Sequence, residues 1–385
     1  MLLTGVVRAF RVLSILGVLL FGGTAGAQLA IQSTFNPSNA ADLCGVAVDH
    51  ATGEVWLYGC SSTEVQRYSS SGAFLAAIPR PGESANDVDV DFSPVGFTLD
   101  ATPIPAGTLL FINGETALAE IYALDKSAGT VIESLNTAFG ASHVVGGAFH
   151  PDRRTMFLLQ DNVPAAADRN RIAEIDPASG SVLSSFQISS FSVSYGDLEV
   201  CASTGNLFVV SSLQTSIAEF TPAGTAVATY PLPVGVATLS GIGLNDSTGE
   251  AWVSSTNGNV WRLSGLPCPA CAPALTVAKA AGELRVSWPG LATGTPVDLV
   301  KGDLQTLRAT AGDLTAALDA VVPVSDVCVG NDVEAGMVID DGLDPPSNAG
   351  RFYLGRCKGG TYDSLAPGQV ASRDSEIAAA AGACP

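Results

Sequence analysis

Residues 87 to 92 read DVDVDF, so Asp87, Asp89 and Asp91 alternate with valines in a chain of which only 14% is charged. In a strand, residues two apart share a face, and like charges there repel. Carboxylates held that close either raise one another's pKa or recruit a cation, and hard oxygen ligands select calcium or magnesium. A local calcium loop of the D-x-D-x-D-G type would need Gly at 92 and Glu at 98, where the chain has Phe92 and Thr98. The aspartates must therefore find partners elsewhere in the fold.

Nucleophilic chemistry has little to work with. The chain has three histidines, His50, His143 and His150, no G-x-S-x-G, and no spacing that suggests a Ser-His-Asp triad. His50 and His150 fall in equivalent hairpin turns and are expected to face solvent. His143 precedes an apolar strand and is the histidine kept as a catalytic candidate.

The elements that position these residues repeat. GVAVDHATGEVWL (45 to 57), DLEVCASTGNLFVV (197 to 210) and GIGLNDSTGEAWV (241 to 253) share an apolar strand, a Thr-Gly turn and a second apolar strand. Residues 88 to 112, with an insertion, and 146 to 159 follow the same frame. Each copy runs on into a third strand, and four add a fourth, at FLAAI, VIESL, VLSSFQI and AVATY. Short alternating strands with a period of roughly 40 to 55 residues describe β-propeller blades. The fifth copy lacks its outer strand, and the N-terminal segment LAIQSTFNP (29 to 37) is expected to supply it and so remove an open edge. The count is five blades, or six if the insertion hides strands.

Aligned backwards from their turns, the inner strands put Gly45, Asp87, Gly146, Asp197 and Gly241 in one column. Ala47, Asp89, Ala148, Glu199 and Gly243 occupy the column two residues on. Inner strands line the axis of a propeller. Asp87, Asp89, Asp197 and Glu199 are thus expected to converge there as a site for Ca2+ or Mg2+, extended by Glu115, Asp161 and Asn162 on the same face. The competing reading has these side chains bonded to backbone amides between blades. If a metal is held, water activation makes the chain a metal-dependent lactone or phosphate-ester hydrolase, with His143 or Glu199 as base. Asp91 aligns with Asp49 and Asn245 and reads as turn chemistry.

Residues 1 to 27 read as a secretory signal, with Arg8 and Arg11 before an apolar run and Ala25-Gly26-Ala27 at a cleavage site. The apolar run is too short to span a bilayer. The mature chain is expected to be secreted, extracellular or periplasmic, without membrane insertion, and monomeric. Without the two arginines, 16 basic residues face 37 acidic ones, a formal charge of −21 against −19 for the whole chain. That balance excludes nucleic acid as a partner. Eight cysteines in an oxidising compartment imply disulfides. Cys44 and Cys60 flank the first hairpin symmetrically and are expected to pair. Cys357 with Cys384, and Cys268 with Cys271, are the other expected pairs.

Past a Pro/Cys linker (267 to 273), the segments LTVAK, ELRVSW, VDLVKG and RFYLGR alternate with period two over about 110 residues, the size of a β-sandwich. The blade pattern of residues 28 to 266, clearest in GVAVDHATGEVWL and IAEIDPASGSVL, resembles secreted NHL-like and quinoprotein-like propellers. That class includes ligand-binding scaffolds, lactonases and phosphate-ester hydrolases. The tail, in DLVKGDLQTL, RFYLGRCKGGTYDS and GQVASRDSEI, resembles the fibronectin type III-like modules of secreted bacterial proteins, which implies an accessory role. The fold class expected is all-β, a propeller followed by a small sandwich. The leading functional expectation is a non-catalytic binding protein for a small-molecule, carbohydrate or protein ligand on the propeller face, and a purely structural surface protein is the remaining alternative. The acidic stretch 326 to 344 is expected to be a solvated loop, with calcium binding as its alternative.

Overall fold

The computed structural model describes residues 28–37, 42–82, 86–115, 118–140, 143–245, 248–268, 275–280, 283–288, 296–340, 350–357, 362 and 373–384. The expected signal segment lies outside them. Five four-stranded antiparallel sheets make up residues 28 to 266. The first blade runs Leu43–Val48, Val55–Gly59, Glu64–Tyr68, Phe74–Pro79, and the second Val88–Ser93, Thr108–Asn113, Glu120–Leu124, Val131–Asn136. The third is Val144–His150, Thr155–Gln160, Arg171–Ile175, Val182–Gln187, and the fourth Gly196–Val200, Leu207–Ser211, Ser216–Phe220, Ala226–Pro231. The fifth combines Leu239–Asn245, Glu250–Ser255 and Val260–Ser264 with the N-terminal strand Ala30–Phe35. That strand pairs antiparallel to Val260–Ser264, with Phe35 opposite Val260, so the two ends of the domain close one ring. The insertion in the second blade forms a small hairpin, Phe97–Leu99 with Thr102–Ile104, and not a sixth blade.

Each blade buries its faces against its neighbours, and the cores lie between blades. Trp56 and Tyr58 of the first blade pack with Val90, Phe92 and Phe111 of the second. Val46 and Leu57 pack with Trp252 and Val260 of the fifth. Three further clusters fill the remaining interfaces. Turn chemistry repeats as well: Asp125, Asp176 and Cys201 each accept two backbone N–H bonds on their carbonyls from the turn that ends in a left-handed glycine, Gly129, Gly180 or Gly205.

The tail departs from the expected all-β module. It has two three-stranded sheets, Thr276–Ala280 with Glu283–Ser287 and Met337–Asp340, and Cys328–Val333 with Val297–Asp303 and Arg351–Cys357. To these it adds helices Leu304–Ala309, Leu314–Asp319 and Arg373–Ala379. Asp303 and Asp313 start the first two by accepting bonds from Thr306 N and Ala316 N. The described part of the acidic stretch is likewise no loop. Residues 328 to 333 and 337 to 340 are strands, and Asp340 is buried in an ion pair with Lys301 at 2.8 Å.

Cys44 and Cys60 are bonded. The other two expected pairs are replaced. Cys268, on the chain leaving the fifth blade, reaches across to Cys201 in the first hairpin of the fourth, so the C-x-x-C does not close on itself; Cys271 lies outside the described residues. Cys384 is bonded to Cys328, because both belong to the core beneath the tail helices. Cys357 is disulfide-bonded too, but sits in the other core of the tail with Val286, Trp288 and Val297. Among the described residues no helix is long and apolar enough to cross a membrane.

Candidate functional site at the propeller mouth

Strand register corrects the inner-strand alignment. Gly45, Asp89, Gly146, Asp197 and Gly241 stand opposite Tyr58, Ile112, Leu159, Val210 and Ser254, which makes them the true column. The next column holds Ala47, Asp91, Ala148, Glu199 and Gly243. The second blade is thus shifted by two residues from the expected alignment. Asp91 moves from the turn into the axis, and Asp87 moves out to the rim.

The axis is filled by backbone and carboxylates. An inner strand has one edge without a sheet partner, and its N–H groups need acceptors once buried. Asp89 Oδ2 accepts from Gly147 N at 3.1 Å and Asp91 Oδ2 from Phe149 N at 2.7 Å, joining the second blade to the third. Asp197 Oδ2 accepts from Ile242 N at 2.8 Å, joining the fourth to the fifth. Glu199 Oε1 accepts from Val200 N at 2.7 Å. A side chain at Gly45 would meet Asp89 Oδ1 at 2.5 Å, and one at Gly146 would land on Asp197. Small residues in three blades and acids in two are therefore complementary halves of one packed axis.

Burial pushes Asp89 and Asp197 well above the usual carboxylate range. Among the described residues no group of three or more His, Cys, Asp and Glu side chains is placed to hold a metal ion. The expected four-carboxylate set does not assemble: Asp89 and Asp197 form a pair, Glu199 lies below it and Asp87 above.

The opening above the axis is lined by one inner-strand residue from each blade, Cys44, Val88, Val145, Gly196 and Ser240, together with Asn86 and Tyr195, and has no room for a water molecule. Chemistry gathers on its rim between the second and third blades. Asp87 Oδ2 lies 3.0 Å from His143 Nδ1. His143 takes a left-handed backbone conformation just before its strand, with φ 63°, and its side chain is a third exposed. Its carbonyl accepts from Asp161 N at 3.0 Å. Glu115 Oε2 accepts from Asn86 N and Asp87 N, at 2.9 and 3.2 Å, and so fixes the chain at the start of the second blade.

Burial raises the Asp87 pKa to about 6; the His143 charge pulls it down, while Glu115 and Asp161 push it further up. Asp161 is raised chiefly by burial and drawn back by its bond from Val163 N. Asn162 turns away, donating from Nδ2 to Ser192 Oγ at 3.5 Å. Two rim residues escaped the sequence reading. Arg169, from the long loop after Gln160, stands close enough to lower both Asp87 and Asp161. Tyr195 is half exposed at the opening with φ 43°. The length of the loop was the available signal for Arg169.

No family model matches the sequence and no curated protein matches it. Solved propeller structures are similar in fold. A catalytically inactive virginiamycin B lyase from Staphylococcus aureus with quinupristin is 14% identical, with a TM-score of 0.36, covering 60% of this chain and 68% of that one. A streptogramin B lyase is 18% identical, with a TM-score of 0.36, covering 69% and 82%. A gluconolactonase from Xanthomonas campestris is 14% identical, with a TM-score of 0.40, covering 60% and 89%. These likenesses concern the propeller shape and carry no site residue across.

Proposed function

We propose that this chain is an exported propeller that binds a carbohydrate at its mouth without covalent chemistry. The observation that carries the reading is the convergence of Asp87, Glu115, His143, Asp161 and Arg169 on the rim of an opening that the half-exposed Tyr195 lines, above an axis that is closed. A sugar ring offers alternating donors and acceptors on its edge and an apolar face. Carboxylates, imidazole and guanidinium suit the edge, and an aromatic ring suits the face. The disulfides fit an oxidising compartment. Calorimetry with a panel of neutral and amino sugars tests the reading, using wild type, Asp87→Asn and Tyr195→Ala. Binding that both variants weaken at least tenfold is expected. Equal heats in all three proteins would overturn it.

A second reading rests on the Asp87–His143 pair. A buried carboxylate that holds one imidazole nitrogen leaves the other free to act as acid or base, which suits hydrolysis of a lactone or phosphate ester. Glu199 does not serve that role, because it is nine-tenths buried below the rim and already accepts a backbone bond. A lactone and phosphate-ester panel, run with calcium and with EDTA on wild type and His143→Ala, separates the two readings. Turnover lost in the variant would establish the enzyme.

A further inference from the structure

We propose that Asp89 and Asp197 share one proton across the propeller axis, so that the ring is pinned by a carboxylic acid bonded to a carboxylate and not by a metal ion. The two groups come from the second and fourth blades, are 1% and 0% exposed, and lie within hydrogen-bonding reach of each other. Two ionised carboxylates have only acceptors, so a bond between them requires a hydrogen on one. Gly147 N serves Asp89 Oδ2, Leu198 N and Ile242 N serve the two oxygens of Asp197, the Val90 N–H also favours the Asp89 charge, and Asp89 Oδ1 is buried without a hydrogen-bond partner. That orphaned oxygen is where the missing hydrogen belongs.

Among the described residues no cation faces the pair, which leaves a proton as the counter-charge. Asp91 and Glu199 lie below the pair and Asp87 above it, all of them acids. The inner strands Leu43–Val48 and Leu239–Asn245 carry no ionisable side chain, and Val144–His150 carries only His150, at its far end. His150, expected to face solvent, is instead buried there, and burial with the Arg153 charge holds it neutral, against the pull of Glu174. An ion would also need space, and the Gly45 backbone sits so close that a single added methyl would collide with Asp89 Oδ1. The pair thus binds and loses its proton as a unit. Its native affinity for that proton is raised, so the pin is intact below the native titration. Stability is lost as pH rises through the native titration, when two charges meet without a counter-ion.

Carbon-13 spectra of protein labelled at the aspartate carboxyls test this on wild type alone. One carboxyl is expected to keep the shift of the protonated acid at pH 7 and to lose it only at alkaline pH, as the melting temperature falls. Asp197→Asn supplies an amide donor in place of the acid. It should fold, lack the protonated signal and lose the alkaline fall, and Asp89→Asn should do the same from the other side. A wild-type spectrum with every aspartate ionised at pH 7 would overturn the proposal. So would a melting temperature that drops on adding EDTA and recovers with calcium.

Discussion

Asp87 holds His143 across the gap between the second and third blades, Oδ2 to Nδ1 at 3.0 Å, with the carboxylate buried and the imidazole a third exposed. The arrangement joins a residue just ahead of one inner strand to a residue just ahead of the next. It therefore depends on the closed ring below it. The pairing also sets the rim's response to acid, because burial makes Asp87 reluctant to ionise while His143 favours its charge.

Asp87 should make the protein more stable as pH falls. Its native pKa, about 6, lies above the ordinary 3.8, so the native state holds a proton that the unfolded chain has released. Its contribution is full below pH 3.8 and is lost as pH rises through about 6, an effect of up to about 3 kcal/mol. Urea unfolding at pH 4, 5, 6 and 7 should show this as a difference between the two proteins, wild type losing stability relative to Asp87→Asn as pH rises.

His150 should act in the opposite direction. Burial, helped by Arg153, lowers its pKa from 6.5 to about 4, so the unfolded chain takes up a proton that the native state refuses. Its contribution is full above pH 6.5 and is lost as pH falls towards 4, again by up to about 3 kcal/mol. Wild type should therefore show a nearly flat profile between pH 4 and 6, where the two effects oppose. His150→Asn should unmask the Asp87 slope in the same urea series, and a profile unchanged by the substitution would refute the assignment.

The blade architecture was legible because period-two alternation and Thr-Gly turns are local signals, repeated often enough to fix a frame. The axis was misread by two residues because the second blade's hairpin carries the insertion Phe97–Ile104, so that counting back from its turn placed Asp87 where Asp89 stands. Which carboxylate meets which backbone is a property of neighbouring blades, and no local pattern records it. Disulfide partners failed likewise: Cys201 and Cys268 are 67 residues apart and meet only through the ring. In the tail, DLQTL and DLTAAL carried N-cap signals at Asp303 and Asp313, but the surrounding alternation drew the reading towards strands.

The packed axis makes a direct prediction at Gly146. A Cβ there would land on Asp197 Oδ1, stand 2.5 Å from its Cα and 3.1 Å from Leu198 N, and backbone cannot yield as a side chain can. Gly146→Ala should cost about 3 kcal/mol or more, the upper end of overpacking, because backbone stands in the way. Gly53, with φ 69° and nothing within 4 Å, is the control. Gly53→Ala meets only left-handed strain of roughly 1–2 kcal/mol. Equal losses by chemical denaturation, or a milder effect at Gly146, would show that the axis is looser than the contacts imply.

Ring closure makes the last prediction. Ala30–Phe35 is the fourth strand of the fifth blade, and Phe35 seats it: the ring lies 5.6 Å from Tyr68 and 6.1 Å from Trp252, so it touches the first blade as well as its own. It also rests directly against Gly72 in the outer turn of the first blade. Phe35→Ala removes a half-buried aromatic ring from a junction of two blades and should cost about 2–3 kcal/mol, below the loss at a fully buried phenylalanine. The loss is a ring-opening event, so it should appear unevenly. Hydrogen exchange should quicken at Val260–Ser264, whose edge the N-terminal strand covers, while Gly196–Val200 in the fourth blade keeps its protection. Uniform acceleration across all five blades would mean that the ring melts as one unit and that Phe35 is an ordinary packing residue.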